Sequence, residues 1–335
     1  MTAVPNRSPQ SGASSAVRVV RAGQTSFLVR EEPGEAPAGS TPVLLLHGVP
    51  ETSSCWRELG PRLAPGRRVL APDLPGLGGS TFTGPFDVAC VVAELAALVE
   101  AEVPGGRVDL VGHDWGGSLA LGLAGARPEL VRRLAVVNAP FRSLPLLRAA
   151  HIPFFALPIA PELLFRLGGR RVVDLMLDIG WRSDAVLDPE SRAEYAAAYT
   201  TRHGLAAMLG YYRAAARPRL AAALTRRAAA GVPRIRVERA MVLWGALDPI
   251  LPVSVGEGVV RDLGADCTMV TVPGAGHFVV EEAAEVVAQV LLDFLADDTT
   301  PTPPVAAAPP EHLTGGPIEP GPAAERPAHE APDHA

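Results

Sequence analysis

The sequence of 335 residues contains no lysine, only three cysteines and few aromatic residues. Its 30 basic residues are therefore all arginines. They form no basic run, and the formal net charge is −6, so a nucleic-acid partner is not expected. Cys55, Cys90 and Cys267 lie far apart without metal-ligand spacing, which predicts reduced thiols in a cytoplasmic protein. No apolar run is long enough to cross a bilayer and the N-terminus has no hydrophobic signal region, so we expect no membrane association.

The two ends of the chain lack the residues that build a core. Residues 1–16 are small and polar, and residues 297–335 are dominated by proline and alanine and contain no aromatic residue. Such segments bury too little apolar surface to offset the entropy that ordering costs. Both ends are therefore predicted to be disordered.

Between the ends, short apolar segments alternate with segments of helical periodicity. Strands are predicted at 17–20, 25–29, 42–46, 67–73, 107–112, 134–138, 240–245 and 267–272, and helices at 53–64, 87–102, 116–126 and 280–296. This alternation predicts an α/β fold in which a mostly parallel sheet is covered by helices on both faces. The core would comprise residues 17–139 and 236–296.

One long connection interrupts the alternation. Residues 140–235 contain no strand pattern, are rich in Leu, Ala and Arg, and favour helices near 161–178, 190–200 and 204–226. Because the connection is too long for a loop, we interpret it as an inserted helical cap. It follows the sixth strand, so it would cover the carboxyl ends of the strands, where such folds bind ligands.

A candidate nucleophile lies in the stretch VGHDWGG, residues 111–117, where a strand, a sharp turn and a helix are predicted. Gly112 and Gly116 flank Asp114, each two positions away. A strained turn requires this spacing, because side chains beside the nucleophile would have no room. The alternative interpretation is that Asp114 only caps the following helix.

Two later segments supply the partners that such a nucleophile needs. Asp248 in WGALDPILP and His277 in PGAGHF each follow a predicted strand, so both are expected at the sheet edge that carries Asp114. The chain order nucleophile, acid, histidine is typical of this kind of sheet. We therefore predict a catalytic triad of Asp114, Asp248 and His277. Asn138 is the alternative position for the acid, but its neutral side chain would not stabilise an imidazolium.

Backbone amides near the nucleophile complete the predicted site. The N–H of Val49, in the turn HGVP, and the N–H of Trp115 are predicted to form an oxyanion hole for an oxygen that becomes charged. The glycine-rich segment DLPGLGGS, residues 73–80, lacks the pattern of a phosphate-binding loop. We expect that segment to pack beside the HGVP turn.

The segments HGVPETSSCW, DLPGLGGS, VGHDWGG, WGALDP and GAGHF together resemble the α/β-hydrolase superfamily, and within it the branch with an aspartate nucleophile. The epoxide hydrolases are the most similar group, with haloalkane and haloacetate dehalogenases beside them. The resemblance covers about residues 18–296 and is stronger in the core than in the cap. It implies an α/β-hydrolase fold with an inserted helical cap.

The resemblance and the chemistry of a carboxylate lead to the same predicted reaction. An aspartate suits in-line attack on a saturated carbon, which gives an alkyl ester of Asp114. Water activated by His277, which Asp248 orients, would then hydrolyse that ester. Epoxides and alkyl halides are the common substrates with such a carbon. We predict a hydrolase that acts on an apolar epoxide without a metal or an organic cofactor.

Tyrosines of the cap are expected to protonate the oxygen of the opening epoxide ring. The epoxide hydrolases use two cap tyrosines, and the segment GLAAMLGYYR places Tyr212 at one of these positions. The early part of the cap has Phe154 and Phe155 but no tyrosine. Tyr195 or Tyr199 would therefore have to supply the second donor.

The apolar composition of the cap predicts a small hydrophobic substrate. Its contacts are expected to come from His47, Trp115, Phe154, Phe155 and Tyr211.

Two other functions stay open. A haloalkane or haloacetate dehalogenase would use the same nucleophile, with the indole N–H of Trp115 as a halide donor. His151 stands at a position similar to a halide-site histidine of the haloacetate enzymes, although Ile152 replaces the tryptophan expected beside it. The other alternative is a binding protein on the same fold without catalysis, which would have no need of a complete triad.

Overall fold

The computed structural model describes residues 15–32, 36–37, 39–141, 151–225 and 235–296, with side chains for all of these except 217–225. The predicted disordered tail, residues 297–335, lies outside the described residues. One sheet of eight strands forms the centre of the described part. The strands are β1 (Ala16–Ala22), β2 (Thr25–Glu32), β3 (Val43–Leu46), β4 (Val69–Pro72), β5 (Val108–His113), β6 (Val131–Val137), β7 (Arg239–Gly245) and β8 (Cys267–Val272).

The strand order in the sheet is β1-β2-β4-β3-β5-β6-β7-β8. β2 runs antiparallel to β1 and β4, and all other neighbours are parallel. The register pairs Leu46 with Gly112 and His113 with Val137, so β3, β5 and β6 end side by side. The predicted mostly parallel sheet is therefore confirmed. Its order gathers the loops that follow β3, β5, β6, β7 and β8 at one edge.

Helices cover the sheet and fill the long connection between β6 and β7. They are α1 (Gly60–Leu63), α2 (Val88–Glu102), α3 (Trp115–Ala126), α4 (His151–Ala156), α5 (Ala160–Gly168), α6 (Arg170–Gly180), α7 (Pro189–Thr200), α8 (Arg202–Thr225), α9 (Val253–Leu263), α10 (Val279–Glu282) and α11 (Ala284–Leu295). α3 packs on β5 and β6, and α9 packs on β7 and β8. Within the described residues, no helix combines the length and the apolar character needed to span a membrane.

The central strands supply the core. β3, β4 and β5 are buried along their whole length, as expected for parallel strands that are covered on both faces. Each fully buried valine or leucine side chain stabilises the fold by roughly 1.5–3 kcal/mol relative to an exposed one. The loops at the carboxyl edge therefore follow strands that are buried along their whole length.

Two helices predicted as continuous are divided. The segment 53–64 forms a 3-10 turn (Ser53–Trp56) and the short helix α1, because Pro61, in the first turn of α1, has no N–H to continue a helix from the preceding turn. The predicted last helix breaks at Ala283, whose φ of −142° and ψ of 42° are not helical. The side chain of Glu282, just before this break, accepts the N–H groups of Gly276 and Phe278. The break therefore places a carboxylate that holds the loop after β8.

Two further differences concern the start of β1 and a helix that the sequence pattern did not predict. β1 begins at Ala16 and pairs with β2 from that residue on, so the predicted disordered N-terminal segment, residues 1–16, extends too far. Helix α9 was not predicted, because its valines and glycines have low helix propensity. It forms because Val255 and Val259 bury its apolar side against the sheet.

We call residues 151–225, which contain α4 to α8 and lie between β6 and β7, the helical insertion. The helix predicted near 161–178 is divided at Gly169, which has a φ of 51°. Two buried tyrosines of α7 tie the insertion to the sheet domain. Tyr195 Oη donates to Glu281 Oε1 at 2.9 Å, and Tyr199 Oη donates to the carbonyl of Glu51 at 2.7 Å. α7 is therefore anchored to α10 and to the turn that follows β3.

Candidate active site

Asp114 occupies a strained turn between β5 and α3. Its φ of 49° and ψ of −116° are rare for a residue with a side chain and cost roughly 1–3 kcal/mol. Tight packing closes the turn, since a Cβ on Gly112 would collide with the carbonyl oxygen of Gly116, and one on Gly116 would collide with that of Leu46. The Asp114 side chain makes no capping hydrogen bond to α3, so it is not a simple helix cap.

The turn that follows β3 holds one carboxylate oxygen of Asp114. The N–H of Val49 donates to Asp114 Oδ1 at 3.1 Å. Trp115, whose N–H is the second predicted donor, is the first residue of α3, where amides have no acceptor within the helix. The Val49 amide and the helix N-terminus both favour negative charge at this oxygen.

The other carboxylate oxygen of Asp114 faces the predicted base. His277 Nε2 lies 3.5 Å from Asp114 Oδ2, and His277 Nδ1 lies 2.8 Å from Asp248 Oδ2. Because a carboxylate only accepts, Nδ1 carries a proton, so Nε2 is the nitrogen that can take a proton from water whenever the ring is neutral. Asp114 is the most accessible of the three, with 17% of its side chain exposed against 3% for His277 and 0% for Asp248. The structure thus brings the three residues of the predicted triad together, and the predicted nucleophile is the most exposed of them.

Asp248 is held from four directions. Its Oδ1 accepts the N–H groups of Ile250 and Leu251, and its Oδ2 accepts His277 Nδ1–H and the side-chain amide of Asn138, the latter at 2.6 Å. Asn138 has a φ of 41°, and its own Oδ1 accepts the N–H of Gly245. Asn138, the alternative position for the acid, therefore orients the acid instead of replacing it.

The three groups shift one another's proton affinities. Burial raises the pKa of Asp114, but the hydrogen bond and the charge interaction with His277 outweigh burial and lower it. Asp248 follows the same pattern, so its pKa is lowered as well. Burial lowers the pKa of His277, but the two carboxylates on either side hold it well above its ordinary value. The resting site therefore favours an imidazolium between two carboxylates.

Aromatic side chains of the helical insertion lie next to Trp115, the residue after the predicted nucleophile. Tyr212, buried on α8, meets Trp115 edge to face with 5.2 Å between ring centroids. Burial and the charge of Asp114 raise the pKa of the Tyr212 phenol, so it stays protonated as a donor. Phe155 packs on Tyr212 with 5.0 Å between centroids, and Phe154 lies 5.5 Å from Phe155. These rings form one aromatic cluster with Tyr212.

His151 is a polar neighbour of Tyr212 that sequence reasoning considered only as a halide ligand. Its ring centroid lies 6.0 Å from that of Tyr212, across an edge-to-face contact. Burial lowers the pKa of His151, while the charge of Asp114 opposes that effect, so the imidazole is neutral at neutral pH. A neutral imidazole can donate one hydrogen bond toward a developing anion.

The remaining tyrosines are used elsewhere, which corrects part of the predicted site. The hydroxyls of Tyr195 and Tyr199 are bound in the anchor of α7, so neither supplies the second donor. Tyr211 was expected to contact substrate, but its hydroxyl donates to the carbonyl of Pro75 at 2.9 Å, and the side chain is 1% exposed. Tyr211 therefore connects α8 to the loop after β4.

His47 also differs from its predicted role as a substrate contact. Its Nδ1 donates to the carbonyl of Gly48 at 2.8 Å, its Nε2 accepts the N–H of Leu74 at 2.9 Å, and the ring is fully buried. With both nitrogens engaged by backbone, the side chain has nothing left for a ligand. Asp73, at the start of DLPGLGGS, accepts the N–H groups of Ser53 and Gly79, so this segment packs beside the HGVP turn as expected.

Two buried residues beside the triad were missed. Glu51 and His113 are both fully buried and lie 2.7 Å apart, measured from Glu51 Oε2 to His113 Nδ1. Their positions in the sequence could have indicated them. His113 is the last residue of the buried strand β5, and Glu51 lies in the turn that follows the buried strand β3. Such a place is buried, and a buried titratable group needs a partner.

Comparisons with known proteins agree with the fold of the sheet. The alpha/beta hydrolase family matches residues 43–290. Epoxide hydrolase 3 from Xenopus tropicalis is 27% identical over 277 residues, which cover 76% of this chain and 71% of the relative. Among solved structures, wild-type Cfl2 from Burkholderia cenocepacia superposes with a TM-score of 0.72 at 27% identity, covering 84% of this chain and 96% of that one.

A second solved structure, one of the novel epoxide hydrolases in metagenomes from hot environments, superposes with a TM-score of 0.70 at 25% identity and covers 85% of this chain and 99% of that one. The family match spans well over half of the chain, and it agrees with the mostly parallel sheet described above. The chain therefore belongs to the alpha/beta hydrolase family and is an α/β-fold hydrolase.

Proposed function

We propose that this hydrolase opens an apolar epoxide through an alkyl ester on Asp114. The observation that supports this most directly is the orientation of one carboxylate, whose Oδ1 faces the Val49 N–H and whose Oδ2 faces His277. A carboxylate at the nucleophile position suits attack on a saturated carbon rather than on an acyl carbon. The similar proteins named as epoxide hydrolases support the choice of an epoxide.

In the first half-reaction, Asp114 Oδ2 attacks an epoxide carbon and the ring C–O bond breaks, leaving its electron pair on the epoxide oxygen. Tyr212 transfers its phenolic proton to that oxygen, and we assign His151 as the second donor in place of a cap tyrosine. The phenol is suited to this because its raised pKa keeps it protonated until the more basic alkoxide forms. The products are a hydroxyalkyl ester and a Tyr212 phenolate.

Ester formation prepares the second half-reaction because it removes the negative charge of Asp114. The esterified Asp114 no longer raises the pKa of His277, so the imidazolium releases its resting proton, which restores Tyr212. Neutral His277 then takes a proton from water as the water oxygen bonds to Asp114 Cγ, and the Val49 N–H stabilises the oxyanion that develops on Oδ1. His277 returns the proton to the departing diol oxygen as the ester C–O bond breaks. The new carboxylic acid protonates His277 and completes the cycle.

The apolar rings beside Tyr212 support an apolar substrate. Phe155 is 3% exposed and packs on Tyr212, and Trp115 packs on Tyr212 from another side. An aryl or alkyl epoxide would bury its carbon skeleton against such rings while its oxygen faces the phenol.

The test separates the two half-reactions. His277→Gln protein is incubated with styrene oxide, and in parallel with 1-bromobutane, and its intact mass is measured. Without the base the ester forms but is not hydrolysed, so we expect an adduct equal to the whole epoxide, located on the peptide that contains Asp114. Asp114→Asn is the matched control, since asparagine tolerates the positive φ, and it should give no adduct.

Each outcome has a defined meaning. An epoxide adduct on Asp114 supports the proposal, whereas an alkyl adduct without bromine, formed with 1-bromobutane alone, would identify a dehalogenase. Folded His277→Gln protein that gains no mass with either compound contradicts a covalent mechanism on Asp114.

A further inference from the structure

Helix α5 is apolar on two sides. One side is buried, and its Phe165 ring packs on Phe155 with 6.3 Å between ring centroids. The other side carries three leucines that are each at least 40% exposed, Leu163, Leu164 and Leu167. Because successive residues turn by about 100° around a helix, these three leucines share one side of α5. A helix that is apolar on both sides is expected to be covered on both, so the exposed leucines indicate a docking surface.

The turn before α5 extends this exposed side. Leu157 is 48% exposed and Ile159 is 74% exposed, and the carbonyl of Ile159 accepts the N–H of Leu163 at 2.9 Å. Ile159 has a φ of 72°, which is rare and strained for a β-branched residue. Strain and apolar exposure at one residue both oppose folding, so they indicate a function for this turn. We call Leu157, Ile159, Leu163, Leu164 and Leu167 the α5 apolar face.

Arginines border the α5 apolar face at its carboxyl end. Arg166 lies on α5, and Arg170 and Arg171 begin α6. All three side chains belong to exposed residues. Arg170 lies 3.4 Å from Asp174, whereas Arg166 and Arg171 form no ion pair with any residue that the structure describes. The formal net charge of the chain is −6, so a group of cations at one place is not a property of the whole surface.

The acidic side chains of α5 and α6 are each bound by an arginine of a later helix. Glu162 Oε1 lies 2.7 Å from Arg213 Nη2. Asp174 and Asp178 lie 3.5 Å and 2.9 Å from the two terminal nitrogens of Arg192. Their charges are compensated within the insertion, so the uncompensated charges of α5 and α6 are arginines.

We propose that the α5 apolar face docks on an anionic lipid surface. Its leucines and Ile159 bury apolar area at the boundary between headgroups and acyl chains, while Arg166, Arg170 and Arg171 bind lipid phosphates. Arginine suits this position because its stem lies along apolar surface while its guanidinium stays among the headgroups. Such a contact needs no spanning helix, so it is compatible with the lack of long apolar runs, although it replaces the sequence expectation of no membrane association.

A second copy of the chain fits these charges less well. A two-fold contact places the same surface of both copies face to face. The arginines beside the α5 apolar face would then lie close to those of the other copy, while the acidic side chains of α5 and α6 are already bound by Arg192 and Arg213. The phosphates of an anionic lipid surface supply the negative charge that this region lacks.

Docking places the lipid surface one helix away from the aromatic cluster of the candidate site. Phe165, on the buried side of α5, packs on Phe155, which in turn packs on Tyr212. Apolar compounds partition from water into lipid, so a hydrolase of apolar substrates would meet them there. The lipid contact itself does not depend on the proposed function, because binding requires only the exposed side chains.

Vesicle flotation tests this contact without any substrate. The full chain is mixed with vesicles of phosphatidylglycerol and phosphatidylcholine, or with vesicles of phosphatidylcholine alone, and the bound fraction is measured. We expect binding to the anionic vesicles, and binding about 10²-fold weaker to the neutral ones, because three arginines lose their phosphate partners. Added salt should weaken binding to the anionic vesicles, because it screens this attraction.

Two double variants divide the contact into its apolar and its charged part. Leu163→Ser with Leu167→Ser removes apolar area, and we expect binding to the anionic vesicles to weaken by at least about 10-fold. Arg166→Gln with Arg171→Gln removes two cations, and we expect binding to weaken by about 30-fold. All four positions are exposed, so both variants should fold, and thermal melting checks this.

The matched control for the leucine variant is Val19→Ser with Val286→Ser. These valines are 65% and 50% exposed, and they lie on β1 and α11, outside the helical insertion. The control removes a similar amount of exposed apolar surface, so it should bind the vesicles as the parent protein does.

Each result decides for or against the lipid contact. Loss of binding in both double variants, with binding kept in the control, supports it. A parent protein that does not bind anionic vesicles, or binding that the leucine substitutions leave unchanged, would overturn it. If sedimentation velocity shows a dimer that the leucine substitutions dissociate, while no vesicles are bound, the α5 apolar face joins two copies and the lipid contact is wrong.

Discussion

The sheet edge and the helical insertion use their polar side chains in opposite ways. At the sheet edge, Asp114, Asp248 and His277 each have fixed partners from neighbouring strand ends. In the insertion, three of the four tyrosines of the chain are bound in anchoring contacts, and Tyr212, with His151 beside it, is the one next to the nucleophile. In the proposed mechanism, residues of the sheet edge therefore serve both half-reactions, whereas residues of the insertion act on the leaving group of the first.

The physical basis of this difference is the stiffness of the backbone. The turns at the sheet edge follow strands that are buried along their length, and the parallel register sets the separation of their ends. The helices of the insertion are attached by side chains, whose hydrogen bonds contribute about 1 kcal/mol each. Substitutions at the sheet edge should therefore affect turnover more than substitutions in the insertion.

The largest effect should come from Asp248→Asn. The amide keeps the shape of the carboxylate but neither stabilises the imidazolium nor requires a proton on Nδ1 of His277, so the base is held in the wrong tautomer. We expect turnover of styrene oxide to fall by about 10⁴-fold, with the Asp114 ester accumulating. Steady-state kinetics with intact mass spectrometry measures both quantities.

Asp293→Asn is the matched surface control for that substitution, because Asp293 is exposed on α11 and bonds only a glutamine side chain in the described part of the chain. Its turnover should equal that of the parent protein. Loss of turnover in Asp248→Asn without ester accumulation would contradict the division of labour between the half-reactions.

A smaller effect should separate two adjacent tyrosines of the insertion. Tyr212→Phe removes the proton donor, and we expect single-turnover ester formation to slow by about 10²-fold, at the lower end of general-acid effects. Tyr211→Phe removes only the bond to the Pro75 carbonyl, so it should lower the free energy of unfolding by about 1 kcal/mol and leave ester formation nearly unchanged. Rapid-quench mass measurements and urea unfolding test the pair, and equal rates in the two variants would remove Tyr212 from the mechanism.

The smallest expected effect is that of pH on ester formation. The pKa of Asp114 is lowered from its ordinary 3.8, so its carboxylate is ionised throughout the mildly acidic and neutral range. The pKa of Tyr212 is raised above its ordinary 10.0, so the phenol stays protonated there. Between about pH 7 and pH 8, where His151 is neutral as well, ester formation should therefore change by less than about 2-fold.

Ester decay should behave differently over the same range, because it needs neutral His277. Asp248 still raises the pKa of that imidazole after the charge of Asp114 is gone, so decay should slow as pH falls. Single-turnover mass measurements across the range give both rates. A fall of ester formation that parallels the fall of decay would show that the two steps share one titrating group.

Much of the site could be predicted because it depends on residues that are close together in the sequence. The glycines around Asp114 are required by steric exclusion within a few residues, and Asp248 and His277 directly follow apolar strands. Element boundaries were harder to predict, as the division of 53–64 at Pro61 and the break at Ala283 show. Ala283 has no local reason to leave the helix, and the carboxylate of Glu282 that it helps to place accepts the N–H of Arg182, which is distant in sequence.

By itself, the sequence determined the alternation of strands and helices, the order of the triad and the carboxylate at the nucleophile position, because periodicity and turn chemistry act over short distances. The tertiary structure alone decided which polar side chains are left for chemistry. Tyr195, Tyr199, Tyr211 and His47 looked equally available in the sequence, and each is consumed by a backbone or side-chain partner from another element. Buried polar groups must find partners, and only the packing of distant segments determines which partners they meet.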